Sequence, residues 1–558
     1  MSRLCTCWEL PIRGKNVAMV NQRASRAIAV ITACLALAVT AVLTDGQAAM
    51  ANPAPAQNTG SADLPATQPI SHSGPSLVDS AGRVVQLHGV SLYDKTPPFL
   101  DSISDADLDY LASQGFNAIR INWAWQSAEP EPGKYDDAYI ARIADLNRKV
   151  ARHGFRTLIG PANNSYSSRF GGFGAPLWAT INHQYCQGPG EKTTCIHTPL
   201  ERVAGTDGEF EAWDNFYNNS PGPGGVGILT RFKKTWQRVA AQFKGDPSVF
   251  AFDLFHEPPP GLKYVRRGER RFFTEPTTFE REVLPGFYRS VGDAVRQVND
   301  GPMQFLEVSN YYSLADTAKA QIHLPTSSFD GPNTGLSLHF GPVDLFRYPL
   351  PEMISKTDQV MSKGLAYARK ANTAFMVSGY RLDNDDSHYA AFTDVLGKRS
   401  IPWLYYTFRG MPDPGAEDSG LLLNPAKDAS ESNVKQSRMD AIVVPYAQLT
   451  SGTPQSWSFD RKTKVFRYTY NTRPVGNKQP CEQAATEIFI PARYYPAGYV
   501  AEVSGAKIVS APTSPWLVLQ QTGPAHEVTV TVRPGRGSHT EKPTGALGPT
   551  ANVSCGAW

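Results

Sequence analysis

From residue 105 to 407 the sequence alternates between stretches with the period of an amphipathic helix and short apolar runs rich in β-branched and aromatic residues. Helical periodicity over 105–114 leads into a strand over 115–121, and 139–153 leads into 155–159. A third unit, 231–243, runs through Gly245-Asp246-Pro247 into Phe252-Asp253-Leu254-Phe255. The alternation continues as 279–298 with 303–308, then 335–339, then 353–370 with 374–377, then 389–397 with 402–407. Strands separated by helices lie parallel, and a count approaching eight predicts a closed β/α barrel rather than an open doubly wound sheet. No Gly-x-Gly-x-x-Gly follows the first strand, so a dinucleotide fold has no support.

A chain of 558 residues is long enough for such a barrel and a smaller partner. Past about residue 440 the pattern becomes short alternating runs, 464–470, 486–490, 499–503 and 527–532, separated by Gly, Pro and Asn. These predict an antiparallel β-sandwich over 438–558 after a barrel over 73–437. Trp457 and Trp516 in this module either bind a ligand or brace the barrel, and core packing is the commoner fate of tryptophan. Before the barrel, Leu77-Val78-Asp79 and Val84-Val85-Gln86-Leu87 flank Ala81-Gly82-Arg83 as a small hairpin closing its floor. The stretch 164–227 is too long for an ordinary connection and reads as a substrate-facing loop or lid, or as a surface insertion. A formal net charge of +3 gives no reason to expect a nucleic-acid partner.

Arg23 and Arg26 precede an apolar run over 27–43, and Ala49-Met50-Ala51 then offers a small-residue cleavage site. That is the layout of a secretory signal over 1–51, with Met19 as an alternative start, followed by a Pro- and Ala-rich linker over 52–72. An uncleaved membrane anchor is the competing reading and needs a longer apolar run. Export fits the cysteines: beyond the leader, Cys186 stands near Cys195, and Cys481 and Cys555 share the C-terminal module. Two disulfides in those pairings are expected, chosen by proximity from three possible connectivities. No Cys-x-x-Cys spacing or nearby histidine pair supports zinc, and no metal or cofactor is expected.

The candidate functional stretch is Phe252-Asp253-Leu254-Phe255-His256-Glu257-Pro258, a buried strand broken by prolines. Period-two alternation puts Asp253, Phe255 and Glu257 on one face. A carboxylate at the C-terminal end of a barrel strand stands in the mouth where barrel enzymes work, so Glu257 is the candidate acid; a salt-bridged strand-end glutamate is the alternative.

A family comes into view at this point. Leu87-His88-Gly89-Val90, Gly115-Phe116-Asn117-Ala118-Ile119-Arg120, Glu129-Pro130 with Gly133 and Tyr135, and Tyr166-Ser167 with 171–176 occur in order with His256-Glu257-Pro258. With the C-terminal run 486–493 and Tyr495-Pro496, they resemble the endoglycoceramidase-like branch of glycoside hydrolase family 5 over about residues 75–535. The resemblance implies a barrel plus β-sandwich that cleaves between glycan and ceramide, using two carboxylic acids about 5 to 5.5 Å apart.

It implies Glu257 as acid/base and Arg120, His256, His339 and Tyr406 as substrate-binding positions. The nucleophile, a glutamate in relatives, belongs at the end of the seventh strand, which here reads Ser378-Gly379-Tyr380-Arg381. No glutamate occurs between Glu352 and Glu417. The acidic and histidine motif after the third strand is Gly160-Pro161-Ala162-Asn163-Asn164, the asparagine before the acid is His256, and Tyr406 stands where a sugar-stacking tryptophan is expected. Glycine cannot form a glycosyl-enzyme, and Arg381 brings a positive charge where relatives have a carboxylate. Asp383 and Asp385, or Glu307, are the candidates for a substitute base in an inverting pair, with a solvated turn as the competing reading of the Asp383–Asp386 cluster.

Two functions follow from this reading. One is a secreted glycosidase acting on glycolipid or a related β-glycoside through Glu257, with possible peripheral contact to a membrane. The other is a non-catalytic descendant that binds glycan, lipid or a protein through the same mouth.

Overall fold

The protein is seen in a computed structural model that describes residues 68–182, 205–264, 277–309, 321–341, 348–410 and 419–553, apart from 477–479, 482, 525, 537–541 and 544. The expected leader, most of the linker, and Cys186, Cys195 and Cys555 lie outside these residues.

Eight parallel strands close into a barrel: His88–Leu92, Ala118–Trp123, Arg156–Pro161, Val249–Asp253, Met303–Glu307, Thr334–Phe340, Ala374–Tyr380 and Trp403–Tyr405. Each pairs with its successor, and the eighth returns to the first with Trp403 beside His88. The first strand falls where the sequence offered a motif rather than a strand. Most strands are buried along their whole length, because side chains fill the barrel inside and helices cover it outside. The helix Ile228–Ala241, for example, buries Ile228, Leu229, Phe232, Thr235, Trp236, Val239 and Ala240 as a single stripe. Interior space is tight enough that a Cβ on Gly335 would come within 2.6 Å of the Phe305 ring.

The C-terminal module is two packed antiparallel sheets. One has four strands, Thr453–Asp460, Val465–Asn471, Tyr499–Ser504 and Glu527–Pro534. The other has seven, and three of them come from the front of the chain: Ile70–Ser73, Ser76–Asp79 and Val84–Val85. Val78 faces Val84, as the expected hairpin requires, and Val85 then pairs with Leu449 of the strand Tyr446–Thr450. Two expectations change here. The strand Ile70–Ser73 takes up the last three residues of the stretch read as linker, because its backbone pairs with Ser76–Asp79 despite its polar composition. The hairpin belongs to the sandwich rather than merely flooring the barrel.

Trp457 and Trp516 both brace. The Trp457 indole donates to the Pro445 carbonyl at 2.9 Å and lies where a Cβ on Gly397 would come within 2.8 Å of it. Trp516 packs on Phe489, ring centres 5.5 Å apart. Arg461 of the sandwich reaches Asp394 at 2.7 Å and the Ala441 carbonyl at 2.8 Å. No helix among the described residues is long and apolar enough to cross a membrane.

Candidate active site at the barrel mouth

Alternate residues of each barrel strand climb the interior from an apolar floor to a polar mouth. Leu158, Ala251, Phe305, Met376 and Leu404 belong to the lower layer. Two residues further along, Asp253, Glu307 and Ser378 stand at the top with Arg120, and Gly160 leaves room for them: a Cβ there would meet Asp253 at 3.0 Å and Arg120 at 3.6 Å.

Arg120 is the hub. Its guanidinium pairs with Asp253 at 2.6 Å and Glu307 at 3.4 Å and donates to Asn122 Oδ1 at 2.9 Å. It also meets His339 Nε2 at 3.1 Å, the Ser378 carbonyl at 3.4 Å and His256 Nδ1 at 3.5 Å. Arg120, Asp253 and Glu307 are all 1 % exposed or less. Two buried carboxylates beside one guanidinium cannot both ionise freely. Burial and the charge of Glu307 push Asp253 well above the usual carboxylate range. Burial raises Glu307 as well, but the positive charge around it, Arg120's included, outweighs that and takes it well below the usual range.

Glu257 lies just past the fourth strand with φ of +43°, the left-handed region that non-glycine residues seldom enter. Glu307 Oε2 holds it there by accepting its backbone N–H at 2.6 Å. The Glu257 carboxylate, 31 % exposed, faces His339 Nδ1 at 3.5 Å and His256 Nε2 at 4.0 Å. Burial raises its pKa, but His339 and His256 win and leave it below the ordinary glutamate value. Glu257 therefore stands as a carboxylate at neutral pH, the opposite of what a resting general acid needs.

The expectation that Asp253, Phe255 and Glu257 share a face does not hold. The strand ends at Asp253, so the alternation stops there. Phe255 turns out among Trp213, Phe216, Phe232 and Phe287, and His256 takes the inward position.

Gly379 lies in the seventh strand beside His339, after a register shift. A Cβ at 379 would come 2.5 Å from His339 Nε2. The imidazole thus fills the space into which a side chain at 379 would project. Next to it, Ser378 Oγ donates to Glu307 at 3.3 Å.

Tyr406 follows the eighth strand and meets Tyr93 edge-on at 5.1 Å. Tyr93 lies 6.5 Å from His256 and packs with Phe99, Ala162 and Phe173, which fill one side of the mouth. Of the described parts of 164–227, Phe173 contributes to this packing, and the helix Asp207–Tyr217 buries Trp213 and Phe216 against Tyr166 and Phe255. Asp383 and Asp385 are engaged elsewhere. Asp383 holds His388 Nδ1 at 2.9 Å, Asp385 caps the helix Asp386–Lys398 by accepting from Ser387 N at 2.8 Å, and Asp386 pairs with Arg438. Arg381, just past Gly379, donates its backbone N–H to the Phe340 carbonyl at 3.0 Å.

His256, Glu307 and His339 have donor atoms within 4.8 Å of one another, a spacing that suits a metal ion. Arg120 already supplies the positive charge there, against His339 Nε2, His256 Nδ1 and Glu307. The residues that the sequence pointed to and the structure assembles are Arg120, His256, Glu257, Glu307 and His339. Asp253 and Ser378 complete the cluster without having been given a role in it.

An eight-stranded β/α barrel with a carboxylate just past its fourth strand is a frame shared by many enzyme classes, here joined to a β-sandwich. The model of the cellulase family, glycosyl hydrolase family 5, matches residues 78–411, and that of the glycoside hydrolase family 5 C-terminal domain matches 445–532. The chain belongs to glycoside hydrolase family 5. It is 25% identical over 509 residues to endoglycoceramidase I of Rhodococcus hoagii (strain 103S), covering 87% of this chain and 92% of that protein. To an endoglycoceramidase of Hydra vulgaris it is 23% identical over 502 residues, 82% of this chain and 87% of the other. Among solved structures, endo-glycoceramidase II from Rhodococcus sp. in complex with ganglioside GM3 superposes with a TM-score of 0.65 at 21% identity, over 83% of this chain and 100% of that one.

Proposed function

We propose that the protein is an exported, endoglycoceramidase-like member of its family that binds a β-glycoside or glycolipid at the barrel mouth. In this reading Glu257 meets the ligand, and the carboxylate nucleophile of double displacement is missing. The observation that supports it is the filled space at Gly379, where the His339 ring occupies the room that a side chain at 379 would take. Retaining hydrolysis needs that carboxylate about 5 to 5.5 Å from the first. Glu307 does not replace it, being buried and committed to Arg120, Ser378 and the Glu257 amide. The ligand class rests on relatives named endoglycoceramidase and on the GM3 complex of one of them. Export rests on the leader-like N-terminus and on Cys481, which is disulfide-bonded; Cys555 is its proposed partner.

One observation favours hydrolysis instead. Glu257 is the partly exposed member of a cluster whose other carboxylates are buried, so water and substrate can reach it. The two readings separate when purified protein meets a panel of fluorescent glycosphingolipids in detergent micelles, with binding followed by anisotropy and glycan release by chromatography. Saturable binding without release is expected. Release that Glu257→Gln abolishes establishes hydrolysis, and absence of both binding and release overturns both readings.

A further inference from the structure

The hydrogen-bond chemistry of Arg120 fixes more than its own position. A guanidinium donates and never accepts, so the His339 nitrogen 3.1 Å from it, Nε2, must be the acceptor. In the neutral imidazole the proton then sits on Nδ1, the nitrogen that faces Glu257 Oε1 at 3.5 Å. His339 is 10 % exposed at its side chain and lies in the space left by the missing Cβ of Gly379. His256, its ring centre 4.3 Å away, presents Nε2 to the other Glu257 oxygen at 4.0 Å. Arg120 is itself locked by Asp253 and Asn122.

We propose that Arg120 and His339 are positioning residues that turn Glu257 into a fixed hydrogen-bond acceptor: Arg120 sets the His339 tautomer, and His339, seated in the Gly379 gap, presents its N–H to Glu257. The ligand atoms that Glu257 receives are then donors, the hydroxyl groups of a sugar, and not the glycosidic oxygen that an acid would protonate. The choice of ligand rests on the glycoside reading above, whereas the tautomer and the state of Glu257 belong to the free protein.

The groups that face this pair are Glu257 and His256 past the fourth strand, Glu307 of the fifth and Arg120 of the second. Of these, Glu307 opposes ionisation of Glu257, and the two histidines favour it. Neutral His339 is consistent with its burial, which lowers its pKa.

The test uses the full chain with 13C-carboxyl-labelled glutamate and no ligand, the Glu257 resonance being assigned by its loss in Glu257→Gln. Wild type is expected to titrate below the ordinary glutamate value. His339→Asn keeps an amide donor near the place of Nδ1 and is expected to leave the midpoint low. His339→Gln moves the donor toward the Nε2 side and is expected to raise proton affinity about threefold to tenfold, as loss of a hydrogen-bond partner does for a partly exposed carboxylate. Gly379→Ala displaces the ring and acts in the same direction, which keeps the test decisive should His339→Gln fail to fold. A wild-type Glu257 that titrates at or above the ordinary value, or equal midpoints in all folded variants, overturns the proposal. Because no glycan enters the measurement, these outcomes are independent of whether glycolipid binding is found.

Discussion

Gly379 shows how one missing side chain reorganises its neighbours. A glutamate restored there would meet an occupied space, because its Cβ would come 2.5 Å from His339 Nε2 and the ring would have to move first. Gly379→Glu is expected to release no glycan from glycosphingolipids and to lower stability by about 1–3 kcal/mol, the usual cost of overpacking a filled site, read from urea unfolding. A second residue with a distinct electrostatic signature is Asp101, whose burial lifts its carboxyl to about 6. Its folded-state pKa lies above the unfolded value near 3.9, so folding takes up a proton between the two and stability falls as pH rises through that window. Asp101→Asn, which can still accept the Ser102 amide held at 2.7 Å, is expected to be more stable than wild type at pH 7, by less than the full shift implies because the side chain is only partly buried, and no different at pH 3, by thermal denaturation. Glu257 and Glu307 were legible in the sequence because carboxylates at the ends of apolar strands have few other places to go, whereas Arg120, His256 and His339 came from the family resemblance. Phe255 was misplaced because the period-two rule was carried past Asp253, where the strand stops. Asp253 was assigned no partner, since nothing along the chain says that it and Arg120 meet across the barrel.

At the scale of elements, the Glu129-Pro130 and Gly133 motif proves to be architecture. The Glu129 carboxylate is fully buried and accepts from Trp125 Nε1 at 3.0 Å, Gly133 N at 2.8 Å and Thr235 Oγ1 at 2.8 Å, with Arg231 at 3.4 Å. It staples the loop after the second strand to the helix Ile228–Ala241. Glu129→Ala leaves Arg231 without its carboxylate partner and several donors unsatisfied, and is expected to cost about 3–5 kcal/mol in urea unfolding. Asp385 at the head of its helix offers a contrast. Asp385→Ala removes a cap worth about 1 kcal/mol and is expected to leave glycolipid affinity unchanged. A large loss of affinity in that variant would return the aspartate cluster to the site. Helices could be read from periodicity because each buries one stripe, and the barrel strands as short apolar runs because both their faces are covered. Ile70–Ser73 could not, because its strand character comes from the backbone partner at Ser76–Asp79 and not from its own side chains.

The whole molecule is held together where the sandwich meets the barrel, at Trp457 against Gly397, Arg461 on Asp394, and Arg493 on Gln436 at 2.6 Å. Truncating Trp457 to alanine is expected to cost about 3–5 kcal/mol and to split a single calorimetric transition into two, as the sandwich loosens from the barrel. The seven-stranded sheet adds a constraint in time. Val84–Val85 finds its partner in Tyr446–Thr450, a strand made after the entire barrel has been synthesised. Closing so long a stretch of chain is slow, and until then the first hairpin waits with an open edge, the kind of surface on which chains join one another. The strands that precede the barrel are therefore fastened by one that follows it, and a chain cut short at the domain boundary would leave the outer edge of Val84–Val85 unpaired.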